Sequence, residues 1–168
     1  MIYIIGYMGV GKTALAKLLA EQLQLPFLDT DLEIEKQENK SVSEIFKKEG
    51  ELHFRMLETE LLTQLHTKAI IACGGGLAIH NNNMELINSK GISIYLKASA
   101  NCLYNRLKDD KERRPLIVNI TNEELKLYLK KELKNRSHFY ELAQHTILVD
   151  GKNIAEILRE VNALIRSL

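Results

Sequence analysis

Short apolar runs alternate along the chain with longer stretches in which apolar residues recur every three or four positions. The short runs are rich in β-branched and aromatic residues, a composition typical of buried strands. The predicted strands cover 2–5, 25–28, 69–73, 92–96 and 146–150. The longer stretches have the spacing of one apolar helix face. The predicted helices cover 14–23, 32–38, 41–48, 51–67, 84–88, 99–108, 121–140 and 154–165.

This alternation predicts an α/β fold, because parallel strands need long crossover connections and helices supply them. Helices then cover both faces of the sheet. We therefore expect one domain, residues 1–168, built as a three-layer α/β/α structure with a five-stranded parallel sheet. Capping-box patterns at Ser41-Glu44 and Thr121-Glu124 mark two helix starts. Gly50 is expected to end a helix in the left-handed conformation.

The first predicted strand leads directly into a glycine-rich loop. Residues 6–13 read Gly-Tyr-Met-Gly-Val-Gly-Lys-Thr and fit the pattern G-x-x-x-x-G-K-[ST]. In a P-loop of this kind the backbone N–H groups and the next helix N-terminus bind phosphates. Lys12 would reach the outer phosphates, and the Thr13 hydroxyl would bind Mg²⁺. A plain glycine turn is the alternative, and the flanking strand and helix favour the P-loop.

The overall composition gives no sign of a nucleic-acid or membrane surface. The chain is 45% hydrophobic and 27% charged, and its formal net charge is +1. No apolar run approaches the roughly 18 residues of a membrane-spanning helix. Cys73 and Cys102 lack metal-ligand spacing and are expected to be free thiols of a reducing compartment. We expect a cytoplasmic monomer without nucleic-acid or membrane partners.

Two carboxylates, Asp29 and Asp31, follow the second predicted strand. Ligands bind at the carboxyl ends of strands in open α/β sheets. In an extended segment both side chains would share one face, where one can hold a Mg²⁺-bound water and the other can face an acceptor hydroxyl. The alternative for Asp31 is a role as a helix N-cap.

Two arginines lie on predicted helices. Arg55 is three residues before Glu58, a spacing that permits a surface ion pair, although both lie beside the apolar stripe that contains Phe54. Arg136 is expected on an inward face and would need an anion there, from a protein carboxylate or from a ligand. Its predicted row contains Leu125, Leu129, Leu133 and Tyr140.

Two loops complete the set of candidate sites. Gly74-Gly75-Gly76 follows the third strand and is either a flexible turn or a place where a substrate approaches backbone amides. Residues 109–115 are highly charged and include Arg113 and Arg114. This segment is either a solvated loop or a lid that brings a cation to the phosphates.

A P-loop indicates a nucleotide but leaves the reaction open. A GTPase needs Asn-Lys-x-Asp to read guanine, and residues 39–42 have Val42 in place of the acid and lie too early. A phosphotransferase needs a group that orients the acceptor and positive charge over the transferred phosphoryl group. The carboxylates and arginines described above are candidates for both.

Together these motifs resemble the shikimate kinase family. The matching pieces are the loop at 6–13, Asp29-Thr30-Asp31, Phe54-Arg55 with Glu58, Gly74-Gly75-Gly76, Arg114-Pro115-Leu116, and Arg136 with Tyr140. They follow the family's order with similar spacing. Cys73 is a departure, because the family often has a hydroxyl residue before the glycines.

The resemblance implies phosphoryl transfer from ATP to the 3-hydroxyl of shikimate, which yields shikimate 3-phosphate and ADP in chorismate and aromatic amino-acid biosynthesis. It implies ATP and Mg²⁺ as cofactors. It also implies a fold like that of the nucleoside monophosphate kinases, with a substrate-binding helical segment at residues 31–60 and a short lid at residues 109–118.

The same resemblance assigns roles by position. Lys12, Asp31 and Arg114 would be catalytic, with Asp31 as the base and Arg114 as the lid cation. The nucleotide would contact Gly9, Val10, Gly11, Lys12, Thr13, Ala14 and, near the adenine, Arg106. Shikimate would contact Asp31, Arg55, Glu58, Gly75, Gly76, Arg136, Phe46 and Phe54, with Glu58 orienting Arg55. Thr13 and Asp29 would bind Mg²⁺, directly and through water.

Two other functions remain open from the sequence. Another small hydroxy-acid kinase, such as a gluconate kinase, would share the P-loop but need a different acceptor pocket. A non-catalytic nucleotide-binding switch would bind nucleotide without turnover. The presence of both Lys12 and Asp31 favours a catalyst, because a switch has no need for the second.

Overall fold

The structure is a computed structural model that describes residues 1–111 and 116–168. A five-stranded sheet forms its centre. All strand pairs are parallel, and the spatial order is β2-β3-β1-β4-β5. The strands are β1 (Ile2–Ile5), β2 (Phe27–Asp29), β3 (Ile70–Ala72), β4 (Ile92–Lys97) and β5 (His145–Leu148).

Helices connect the strands, and one 3-10 turn, Leu77–Ile79, follows β3. The helices are α1 (Lys12–Leu23), α2 (Thr30–Glu38), α3 (Val42–Lys48), α4 (Glu51–Gln64), α5 (Asn83–Lys90), α6 (Ala100–Leu107), α7 (Asn122–Tyr140) and α8 (Ile154–Arg166). Every residue of β1 and β3 is buried, although side chains alternate between the two faces of a strand. Both faces are therefore covered, which confirms the predicted three-layer α/β/α class.

The strand register brings three loops to one edge of the sheet. Ile4 of β1 and Asp29 of β2 both pair with Ala72 of β3. The chain therefore leaves these strands at the same edge, where the P-loop, the start of α2 and the glycine triplet 74–76 begin. Ligands of open α/β sheets bind at this edge.

Several element ends differ from the sequence prediction by a few residues. β2 begins at Phe27 rather than at residue 25, because Pro26 has no N–H to donate to a neighbouring strand. α4 ends at Gln64 rather than near 67, since Leu65 adopts an extended conformation. β3 and β5 are shorter than the apolar runs that contain them.

Both predicted capping boxes are present. The Ser41 and Thr121 side chains each accept from the backbone N–H three residues later, and the glutamate at that position accepts in return. The prediction for Gly50 is wrong in one respect. Its φ is +88° but its ψ is 166°, so it is not left-handed helical, and it stands before α4 as its N-cap.

Lys90 connects the end of α5 to the end of α4. Its ammonium donates to the carbonyls of Leu62 and Thr63, both at 2.7 Å, and to that of Leu65 at 3.0 Å. These carbonyls belong to the last turn of α4, where intrahelical partners run out. The cation also favourably meets the negative end of the helix dipole.

We expect Lys90→Met to lower the free energy of unfolding by about 2 kcal/mol, because a charged donor to three carbonyls at the end of α4 is lost. Urea denaturation followed by circular dichroism measures this change. Lys36→Met is the matched control, since the Lys36 side chain is 78% exposed and lies 3.8 Å from its partner Glu33. Equal midpoints for the two variants would contradict the expected role of Lys90.

Within residues 1–111 and 116–168, no helix combines the length and apolar character that crossing a membrane requires.

Candidate active site

The P-loop wraps around the side chain of its own lysine. The buried Lys12 ammonium donates to the carbonyls of Gly6 at 2.9 Å and Tyr7 at 3.0 Å. Gly11 has a φ of +101° and stands immediately before α1, whose first residue is Lys12. The loop backbone and the N-terminus of α1 therefore share one cavity with the lysine, as phosphate binding requires.

Asp29 links α2 to the P-loop helix. Its Oδ2 accepts a hydrogen bond from the Thr13 hydroxyl at 2.8 Å, and its Oδ1 accepts from the N–H groups of Asp31 and Leu32. Asp29 is therefore the N-cap of α2. The alternative role of Asp31 as the cap of this helix is wrong, and so is the expectation of an extended Asp29–Asp31 segment, because α2 begins at Thr30.

The pairing of Thr13 with Asp29 suits a magnesium ion. A hydroxyl and a carboxylate, both hard oxygen donors, lie side by side and line the phosphate cavity. Mg²⁺ prefers such oxygen ligands and usually keeps several waters besides them. The residues present thus fit the group that the sequence predicted for this position.

Thr30 fixes the start of the glycine triplet, a role that the sequence reasoning missed. Its hydroxyl, fully buried, accepts from the N–H of Gly74 at 2.8 Å. Position 30 lies between the two noted carboxylates, and no local pattern gives its long-range partner. The contact joins the start of α2 to the loop after β3.

Asp31 and Glu58 converge on Gly74. Asp31 Oδ1 and Glu58 Oε1 are buried, and neither has a hydrogen-bond partner among the described residues. A Cβ at Gly74 would overlap Asp31 Oδ1 and lie 2.8 Å from Glu58 Oε1, so a larger residue here would displace these two carboxylates. Burial, and next the charge of Asp29, raises the pKa of Asp31 to about 6. Burial raises the pKa of Glu58 to about 7, although Arg55 opposes this shift.

Arg55 is held on several sides within the protein. Its guanidinium donates to Glu58 Oε2 at 2.8 Å and to Glu51 Oε1 at 2.7 Å. It also lies over the rings of Phe46 and Phe54, at 5.7 and 5.5 Å from their centroids. The Arg55–Glu58 pair is buried, so the alternative of a surface ion pair is wrong.

The protein carboxylate that pairs with Arg136 lies on the same helix, α7. The guanidinium of Arg136 forms an ion pair with Glu132, one turn earlier in α7, and its side chain is 14% exposed. It lies over the ring of Tyr7, 5.3 Å from the centroid. The inward orientation predicted from the Leu125 row is confirmed, and the α7 arginine therefore reaches the P-loop.

One cavity of about 630 Å³ brings the predicted acceptor residues together. All eight contribute to its wall, namely Asp31, Arg55, Glu58, Gly75, Gly76, Arg136, Phe46 and Phe54. A second cavity of about 310 Å³ is lined by Gly9, Gly11, Lys12, Thr13 and Ala14 of the P-loop. Both cavities share Met8, Thr13, Asp29, Asp31 and Gly75, so they are adjacent.

Of the remaining predicted site residues, the two that the structure describes, Val10 and Arg106, are not among the lining residues of either cavity. Val10 contributes its carbonyl oxygen, which accepts from the guanidinium of Arg106 at 2.7 Å. Arg106 thus lies on the P-loop side of the molecule, and its contact with adenine stays a prediction. Arg113 and Arg114 lie outside the described residues, so their lid roles stay predictions as well. Leu116, just beyond, lines the acceptor cavity.

Glu51 and Glu132 are partners of the site that sequence reasoning missed. Each lies four residues before an arginine of the site, Arg55 and Arg136 respectively. This spacing places two side chains together on a helix and is visible in the sequence. Tyr7 was also missed, because it occupies a position that the P-loop pattern leaves unspecified.

A P-loop at the edge of a parallel sheet, opening into a pocket with a carboxylate and two arginines, is the arrangement of a small-molecule kinase. The family model described as shikimate kinase matches residues 8–166. The chain therefore belongs to the shikimate kinase family.

Individual relatives agree with this assignment. A shikimate kinase of Flavobacterium johnsoniae is 45% identical over 164 residues, which cover 95% of each chain. The crystal structure of a Bacteroides thetaiotaomicron shikimate kinase superposes with a TM-score of 0.91 at 33% identity, over 98% of this chain and 97% of that one. The structure of an Acinetobacter baumannii shikimate kinase in complex with shikimate superposes with a TM-score of 0.87 at 35% identity, over 99% of this chain and 92% of that one.

Proposed function

We propose that the protein transfers the γ-phosphoryl group of ATP to the 3-hydroxyl of shikimate and releases shikimate 3-phosphate and ADP. One observation carries the proposal: Arg55, Arg136 and Asp31 line a single cavity that adjoins the P-loop cavity. An acidic, hydroxylated substrate needs cations for its carboxylate and a hydrogen-bond acceptor for its hydroxyl. The complex of the Acinetobacter baumannii relative with shikimate supports this choice of acceptor.

The triphosphate of ATP binds along the P-loop in this proposal. The backbone from Gly9 to Ala14 and the N-terminus of α1 surround the phosphates, and the Lys12 ammonium moves from its carbonyl partners to the outer phosphates. Arg106 lies near the adenine. Thr13 and Asp29 would hold Mg²⁺, which would supply positive charge to offset that of the phosphates.

The carboxylate of shikimate binds between Arg55 and Arg136. Arg55 is already fixed by Glu51 and Glu58, so little side-chain freedom is lost when the carboxylate arrives. Backbone groups of Gly75 and Gly76 contact the acceptor, while Phe46 and Phe54 cover the apolar part of its ring.

Asp31 receives the proton of the reacting hydroxyl. The hydroxyl oxygen attacks the γ-phosphorus of ATP, the bond from that phosphorus to the bridging oxygen breaks, and ADP leaves. The hydroxyl proton passes to the Asp31 carboxylate, whose Oδ1 is buried and has no hydrogen-bond partner among the described residues. Arg114 of the lid is the second cation over the transferred group, as the family resemblance implies. Closure of the lid then keeps water from competing with the acceptor.

We also propose that the enzyme works as a cytoplasmic monomer. The two adjacent cavities already bring the P-loop together with all eight predicted acceptor residues. Free thiols at Cys73 and Cys102 suit a reducing compartment.

Coupled measurement of ADP release tests the proposed reaction. The enzyme is supplied with ATP and Mg²⁺ and with shikimate, gluconate or no acceptor. Of these three conditions, we expect rapid ADP release only in the one with shikimate. Rapid ADP release only with gluconate would assign the acceptor pocket to a different hydroxy acid. Nucleotide binding without release under any of these conditions would indicate the non-catalytic switch.

Arg136→Ala should weaken shikimate binding by roughly 2–5 kcal/mol, because a partly buried carboxylate loses a cationic partner. Isothermal titration with shikimate measures the dissociation constant directly. Lys134→Ala is the matched control, since this cation lies on the same helix but faces solvent. An unchanged dissociation constant for Arg136→Ala would assign Arg136 to the stability of the fold.

A further inference from the structure

Tyr140, the last residue of α7, contacts both the sheet and the glycine triplet. The residue is fully buried, and its ring stacks on that of Tyr95 in β4 with centroids 5.2 Å apart. Its hydroxyl donates to the carbonyl of Gly75 at 2.5 Å. The phenol thus joins the end of α7 to the loop that follows β3.

The same hydroxyl also faces Arg136, which lies one helical turn earlier. The positive charge of Arg136 interacts with this hydroxyl, whose own proton goes to the carbonyl of Gly75. Burial raises the pKa of Tyr140 to about 12, so the phenol keeps this proton throughout the neutral range. The Tyr140 hydroxyl therefore interacts with two groups of the site, the Arg136 guanidinium through its charge and the backbone of Gly75 through a hydrogen bond.

Arg136 and Gly75 both line the acceptor cavity. The carbonyl of Gly75 and the N–H of Gly76 belong to one planar, trans peptide, so an oxygen held toward Tyr140 directs that N–H the opposite way. Consecutive glycines have the greatest backbone freedom of any residues, and a fixed carbonyl removes much of it. The tyrosine hydroxyl therefore sets the direction of this peptide relative to the guanidinium.

We propose that Tyr140 is a positioning residue that holds the Arg136 guanidinium and the Gly75–Gly76 peptide in one geometry, and so determines the affinity of the enzyme for its anionic acceptor. The proposal rests on the proposed function, in which both groups contact that acceptor. Tyr140 itself stays behind them and acts only through them. Tyr140 lines neither cavity, whereas Arg136 and Gly76 line the acceptor cavity and not the P-loop cavity.

Tyr140→Phe tests this role, because it removes the hydroxyl and keeps the stacked ring. We expect the KM for shikimate to rise at least about tenfold, the effect of losing one strong hydrogen bond. We expect the KM for ATP and the melting temperature to stay near those of the wild type. Tyr95→Phe is the matched control, because it removes the same atom from the other ring of the stacked pair, and no described hydrogen bond joins the Tyr95 hydroxyl to Gly75 or Arg136. It should leave the KM for shikimate unchanged.

A double-mutant cycle with Arg136→Ala shows whether the effect passes through the guanidinium. In that background Tyr140→Phe should raise the KM for shikimate much less than it does in the wild type. An unchanged KM in Tyr140→Phe, an equal rise in Tyr95→Phe, or fully additive effects in the cycle would overturn the proposal. Wild-type enzyme in the same assay separates the two hypotheses, because absent shikimate-dependent turnover there refutes the proposed function itself.

Discussion

Lys12→Ala is expected to reduce kcat by at least about 100-fold, the usual loss when a charged group that stabilises a transition state is removed. The Lys12 ammonium is buried at the base of the phosphate cavity. Negative charge on the bridging oxygen and on the transferred group must be neutralised there as ADP leaves. No other lysine or arginine lines that cavity among the described residues.

The variant also removes two hydrogen bonds inside the loop, to the carbonyls of Gly6 and Tyr7. Nucleotide affinity and the melting temperature are therefore measured beside kcat, so that a collapsed loop is distinguished from a missing charge. Lys17→Ala on the exposed face of α1 is the control. A kcat within twofold of the wild type for Lys12→Ala would contradict the proposed phosphate contact.

Asp31→Asn is expected to lower kcat by about 100-fold to 10,000-fold, the range for loss of a general base. Asparagine has nearly the same shape but cannot take up the hydroxyl proton. ATP affinity should remain, because the loop and Lys12 are untouched. The variant should also fold, since it removes a charge that burial and Asp29 disfavour. Glu33→Gln, a carboxylate on the same helix paired with Lys36 at the surface, serves as the control.

The ionisation of Asp31 should also determine how the activity of the wild type depends on pH. Asp31 must be ionised to accept a proton, and its pKa in the free enzyme is raised to about 6. The value of kcat/KM for shikimate should therefore rise with pH through about 6 and then level off. In Asp31→Asn this step should disappear from the residual activity. A pH profile that is flat in the wild type, or the same in both proteins, would exclude Asp31 as the base.

The P-loop and the capping boxes could be predicted from sequence because their residues interact over short distances along the chain. Gly11, Lys12 and Thr13 lie next to one another, and Ser41 caps a helix with a partner three residues away. In such cases the sequence motif contains the same residues that make the contact. The strand order of an alternating α/β chain follows less directly, yet the class does not depend on it.

Contacts between distant segments could not be predicted in this way. Whether Asp29 or Asp31 caps α2 depends on where that helix starts, and the structure places the start at Thr30. The burial of the Arg55–Glu58 pair depends on Gly76, because a Cβ at that position would overlap the guanidinium of Arg55. The family resemblance supplied the residue names, and packing against the glycine triplet explains their positions.

A crystal structure of the enzyme with shikimate and a non-hydrolysable ATP analogue would show directly whether the acceptor occupies the proposed cavity. We expect the shikimate carboxylate between Arg55 and Arg136, with the 3-hydroxyl within hydrogen-bond distance of Asp31. The terminal phosphate of the analogue should meet Lys12 on the other side of that hydroxyl. A ring bound outside this cavity, or a carboxylate that contacts neither arginine, would refute the assignment of this cavity to shikimate.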